Sequence, residues 1–265
     1  MAITKIKSPK GILETLKPAQ VAFGVRTILY AAAIFVLSRQ HDLWPIAVAL
    51  VLIVELWRLR PGSTAPANRV KVALERMSAI LIGSSLALFI AVSPRVLTQV
   101  AFSMLYVVWA IWWESKEHDV KTTLINLLVV QIAVFEALFL MSAVWRSTEW
   151  IVLILVWGGC YLSVYSALTL RAERMAGVMA ATWALVATEI SWVFLRWLFV
   201  YTLPGGYLLV PQPTIVLTAI AYCFGSIYIS QRQGNLSRGR LTEYLLIGLI
   251  LITIVITGTP WRGSL

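Results

Sequence analysis

Apolar residues along this chain gather into nine runs, at residues 22–38, 43–57, 77–93, 97–113, 122–144, 150–170, 177–201, 214–230 and 241–258, with short polar breaks between them. About 20 apolar residues carry a helix across the hydrocarbon core, with a usable range of about 17–25. Each run is therefore read as a membrane-crossing helix. The second is short, and it crosses only if its flanking Trp44 and Trp57 reach the two interfaces. The fold class is all-α: a helical membrane bundle forming a single domain over residues 1–265. The lysine-bearing segment before Val21 lacks a small-x-small cleavage site, so the first run is read as an uncleaved helix.

The breaks differ in charge. Alternate breaks collect Lys5, Lys7, Lys10, Lys17, Arg58, Arg60, Arg69, Lys71, Arg76, Lys116, Lys121, Arg171, Arg174, Arg232, Arg238 and Arg240, while the others hold only Arg39, Arg95, Arg146 and Arg262. Basic residues mark the cytoplasmic side of a membrane. The split predicts an N-terminus inside, a C-terminus outside and nine spans, because dropping one span reverses every later loop. Trp44, Trp145, Trp150 and Trp261 then sit near the outer surface, with Trp57, Trp112 and Trp113 near the inner one.

Composition fits. The chain is 60% apolar with a mean hydropathy of +0.83, against about 45–50% apolar residues in soluble domains. Its net charge of +10 lies in short loops beside spans, where anionic headgroups account for it and nucleic acid is not needed. The expected partners are the lipid bilayer and either another membrane protein or a second copy of this chain. The expected location is a bacterial cytoplasmic membrane.

Two breaks have character of their own. In Arg58–Met77, Pro61-Gly62 and Pro66 precede Asn68, which is expected to cap the next helix. Leu203–Pro213 carries three prolines and two glycines, and is read either as a tight connection or as a loop lying on the outer leaflet.

Chemistry is sparse. His41 and His118 lie in loops without ligand spacing, Cys160 and Cys223 stand singly in apolar runs, and aspartate occurs only at Asp42 and Asp119. No metal site, cofactor or catalytic residue is expected from these. The informative groups are the ionisable residues inside spans, which are costly there and need a partner or a task. Arg26 and Glu55 are mirror images about the 39–42 turn, so a structural ion pair across the first hairpin is expected. Glu136, Glu189 and Arg196, with Gln131 nearby, form the candidate intramembrane cluster. In nine spans the fifth and seventh run parallel, with Glu189 near midplane, Glu136 about 5 Å outward and Arg196 about 10 Å outward. Arg196 is expected to pair with Glu136, with Glu189 buried beneath. The cluster is either a polar lock on helix register or an ion or headgroup site. Gly83, Gly158, Gly159 and Gly225 are read as close-packing positions.

Glu189-x-x-Trp192, Leu203-Pro204, Tyr222, Gly234-Asn235-Leu236-Ser237-Arg238, Glu243-Tyr244-Leu245 and Trp261 resemble an uncharacterised family of bacterial multi-pass membrane proteins over roughly residues 185 to 261. The resemblance implies a polytopic inner-membrane protein and carries no catalytic residue with it. Three functions stay open: a non-enzymatic scaffold or subunit of a membrane assembly, a small proton- or ion-coupled carrier using the Glu/Arg cluster, and an intramembrane lipid-modifying enzyme.

Overall fold

The structure, a computed structural model, describes residues 18–40, 42–58, 66–116, 119–145, 149–202 and 209–257. Nine helices lie among these residues: α1 (Pro18–Arg39), α2 (Trp44–Arg58), α3 (Pro66–Val92), α4 (Val96–Ser115), α5 (Val120–Trp145), α6 (Glu149–Thr169), α7 (Ala176–Arg196), α8 (Gln212–Arg232) and α9 (Arg238–Thr257). Seven of them are long and apolar enough to cross a membrane, α2 is a shorter apolar helix, and α9 carries Arg238, Arg240 and Glu243 in its first turns. The protein is a helical multi-pass membrane protein by this measure.

Successive helices alternate in direction between a basic end and an opposite end. At the basic end, Arg171 Nη2 donates to the Asp119 carbonyl at 2.8 Å. Beside it, Glu173 accepts from the Tyr228 hydroxyl at 2.6 Å and pairs with Arg232 at 2.9 Å. At the opposite end, Trp44 meets Trp145 and the Tyr201 hydroxyl donates to the Val255 carbonyl at 2.9 Å. The α5 helix starts on Asp119, whose carboxylate accepts the Thr122 N–H at 2.7 Å. Hydrogen bonding from the Thr122 side chain, then from this N–H, ahead of the nearby Arg171 and Lys121 charges, holds the Asp119 carboxyl below its usual range.

The helices meet where a side chain is missing. In lipid there is little hydrophobic force between helices, so close backbone approach through small residues takes its place. A Cβ on Gly83 would lie 3.0 Å from Val51 Cγ1, one on Gly159 would lie 2.9 Å from Val134 Cγ1, and one on Gly248 would lie 2.5 Å from Cys223 Sγ. Gly225 sits as close against Leu124 Cδ1. These four glycines set the α2–α3, α5–α6, α8–α9 and α5–α8 contacts. Gly158 meets nothing within 4 Å, so it is not the packing position expected from sequence. The α3 and α5 helices carry more of the buried core than any other helix among the described residues, including Ile90, Phe135 and Phe139 at 0% exposure.

Several boundaries differ from the sequence reading. The α3 helix begins at Pro66, so Asn68 lies inside it and is not its cap; proline suits a first helical position because its missing N–H has no intrahelical acceptor there. The seventh run ends as helix at Arg196, and Val200–Thr202 (β1) instead pairs antiparallel with Leu209–Pro211 (β2). The 203–213 break is thus flanked by a strand pair that packs on α5 and α8. Residues 203–208, His41, the 59–65 part of the first basic loop and the segment before Pro18 lie outside the described residues.

Gly159→Ala should lower stability by about 1–3 kcal/mol, because the β-branched Val134 has little freedom to move aside. Gly158→Ala should be neutral or stabilising by about 1 kcal/mol. Thermal unfolding of both variants in mild detergent checks the contrast.

Candidate functional site

Several hydroxyls in the spans are satisfied within their own helix, which suits a lipid setting. Thr27, Ser103, Thr188 and Ser191 each donate to the carbonyl four residues back, at 2.6–3.0 Å. Amides find partners across helices. Trp109 Nε1 on α4 donates to Asn126 Oδ1 on α5 at 3.0 Å, and Asn126 Nδ2 donates to Ser78 Oγ on α3 at 2.9 Å. Gln99 Nε2 on α4 donates to the Ile90 and Ser93 carbonyls at 2.9 and 2.8 Å, closing the C-terminal end of α3. These two bridges pin α4 against α3 near both ends.

Between the bridges α4 stands away from α5. The gap is an open-sided groove of about 400 Å³ between α3, α4 and α5, walled by apolar side chains such as Leu86, Phe102, Leu105 and Val129, and reached by one carboxyl side chain, Glu136. Glu136 is 5% exposed. Its carboxyl faces the Thr214 hydroxyl of α8, and its Oε1 has no hydrogen-bond partner among the described residues. It lies nine residues from Trp145, about 13 Å below the end of α5. Gln131, at 2% exposure, is buried on the same helix, and its Oε1 also has no partner among the described residues.

Two further cavities lie in line with the groove along α4. Towards the opposite end, a cavity of about 200 Å³ is lined by Ser93, Arg95, Thr98 and Thr202, and Phe89 forms a wall of both it and the groove. Phe89 stacks on Phe102 with ring centroids 4.0 Å apart. Towards the basic end, a cavity of about 20 Å³ is lined by Thr27, Tyr30, Glu55, Arg76 and Glu114, and shares Tyr106 and Trp109 with the groove. The arrangement is an apolar groove with one acid and, at each end, a smaller cavity of mixed polar and apolar lining that shares aromatic walls with the groove.

The pairings differ from those expected. Glu55 is 1% exposed and pairs with Arg76 of α3 at 3.9 Å, whereas Arg26 is exposed on α1. The pairing runs through the other hairpin, because α2 packs on α3 as well as on α1. Arg196 pairs with Glu149 at 3.5 Å, with its guanidinium 5.6 Å from the Trp192 ring, and does not reach Glu136. Equal depth on parallel helices was not enough, because α6 stands between and offers an acid at its first residue. Glu189 is not buried beneath the cluster; it is exposed on the outer face of α7. Of the four cluster residues, the structure brings only Glu136 and Gln131 into the core of the bundle. Sequence reasoning missed Arg76 and Glu149 because each sits at a span end, where a charge reads as an interfacial anchor.

No protein-family model, curated protein or solved structure matches this chain.

An acid buried without full hydrogen bonding is a stability cost of about 1–3 kcal/mol. Glu136→Met, similar in length and apolar, should therefore raise the thermal midpoint in detergent by a few degrees. A lowered midpoint would mean that Glu136 is a structural pairing group.

Proposed function

We propose that this protein is a small membrane carrier that takes an amphiphilic molecule from the bilayer into the groove between α3, α4 and α5. The hydrocarbon part lies along the apolar walls and a hydrogen-bond donor on the head meets Glu136. The observation that carries this reading is the line of three cavities, with the acid in the middle one, charged side chains lining the two end cavities and aromatic side chains at each junction. A volume of about 400 Å³ falls within the range of about 300–1,000 Å³ usual for small-molecule sites. An acid left short of partners favours an exchangeable ligand over a permanent structural bond. Opening the Phe89–Phe102 barrier admits the head to the Arg95 chamber, and opening the Tyr106–Trp109 barrier admits it to the Arg76–Glu55 chamber. Movement of the head between them is the transport step.

A second reading, a subunit of a membrane assembly, has the outward-facing Glu189 in its favour. A lipid-modifying enzyme has less support: Arg171, which together with Arg58 and Arg60 would have to hold a phosphate headgroup, is already bonded to the Asp119 carbonyl.

The proposed setting is a bacterial cytoplasmic membrane crossed nine times, with the basic end in the cytoplasm. A reporter active only in the cytoplasm should be silent when fused after Leu265 and active when inserted after Gly234. Activity after Leu265 contradicts the nine-span topology.

Purification in mild detergent, organic extraction and mass spectrometry test the function. Wild-type protein should retain one class of amphiphile in near-stoichiometric amount, and Glu136→Met should lose it while remaining folded. With that amphiphile in proteoliposomes, wild type should move it between leaflets faster than the variant. Equal retention by both proteins, or retention by neither, contradicts the reading.

A further inference from the structure

The outward face of α7 presents Val178, Thr182, Leu185, Glu189, Trp192 and Arg196, spaced alternately four and three residues apart, and all six are exposed. Leu185 is 54% and Trp192 46% exposed. A four-three alternation keeps one stripe along a helix and is the seam spacing of left-handed helix pairs. Most of this stripe suits lipid. Glu189 does not.

Its depth is fixed by its neighbours. The Arg196–Glu149 pair joins the last residue of α7 to the first residue of α6, which places Arg196 at the end of the bundle. Glu189 is two turns further in, about 10 Å below Arg196, beyond the reach of its short side chain to the interface. It makes no hydrogen bond or ion pair among the described residues. One turn away on the same face, Trp192 is held under the Arg196 guanidinium, 5.6 Å from the ring. No group among the described residues accepts the proton of the Trp192 indole nitrogen. The face therefore carries an acceptor and a donor, each without a counterpart in its own chain.

We infer that this face of α7 binds a second copy of the chain, with the Trp192 indole N–H of each copy donating to the Glu189 carboxyl of the other. Two copies inserted the same way round are related by a two-fold axis along the membrane normal, so their α7 helices run parallel with equal residues at equal depth. Such an interface is self-complementary: what one copy accepts, the other donates, twice. Glu189 and Trp192 differ by about 4.5 Å along the axis, a distance the indole spans. A polar group within an apolar seam also fixes register, since any slip leaves it facing lipid. The packing of α7 supports the assignment: it is held on α6 and more lightly on α8, and is the least buried of the seven long apolar helices. The inference is independent of the groove around Glu136.

Cysteine cross-linking in native membranes tests it. In a background with Cys160→Ala and Cys223→Ala, Leu185→Cys should form a disulfide-linked dimer on mild oxidation. Leu29→Cys, on α1, whose packing partners are α2, α3 and α4, should not. Adding Glu189→Leu or Trp192→Phe should abolish the Leu185→Cys cross-link, whereas Glu189→Gln, which keeps an acceptor oxygen, should preserve it. Purified protein reconstituted alone in liposomes should give the same pattern. Absence of the Leu185→Cys dimer, its appearance only with a different protein, or full cross-linking in Trp192→Phe would overturn the proposal.

Discussion

Hydrogen bonding without water governs this structure. In a bilayer, every polar group at depth is satisfied inside the protein or pays several kcal/mol for standing alone. Thr27, Ser103, Thr188 and Ser191 meet the requirement by bonding back along their own helices, and Asn126 meets it by joining Trp109 to Ser78 across three. Because those bonds are short, they hold α3, α4 and α5 in fixed register at the two ends of α4. The helices are free to separate between them. The groove is thus a product of where the amides are: α4 is tied by Gln99 and by Trp109, and mostly apolar side chains line the interval.

Two acids escape this rule in opposite ways. Glu136 is inside, close to Thr214, with one carboxyl oxygen unmatched and an open groove beside it. Glu189 is outside, facing the bilayer at a depth where lipid offers it nothing. An unmatched group facing a cavity is completed by something small enough to enter, and one facing the lipid by something that docks alongside. The first points to a ligand and the second to a copy of the chain.

The helical, apolar character of the bundle was legible in the sequence because hydrophobic runs are one-dimensional signals. Glu136 and Gln131 were legible as candidates for the same reason, since any polar residue deep in a run stands out. Partners were not. Which face of a helix meets which neighbour depends on the glycines that let backbones approach, and Gly159 and Gly158 are adjacent in sequence yet only Gly159 touches another helix. Depth placed Arg196 near Glu136, but rotation and the intervening α6 gave it Glu149. Glu55 likewise went to Arg76 through the second hairpin. The α7 face shows the same limit: seven-residue spacing put Glu189 and Arg196 on one stripe correctly, while nothing in the spacing said that the stripe faces outward.

On the proposed function, the space beside Glu136 is a lipid-side binding site. Electron cryo-microscopy of the protein in lipid nanodiscs, with a rigid antibody fragment added for size, tests that most directly. The expected result is elongated density between α4 and α5, ending in a head group within hydrogen-bonding distance of the Glu136 carboxyl. A map in which α4 closes onto α5, leaving Glu136 paired within the protein and no space beside it, would contradict it.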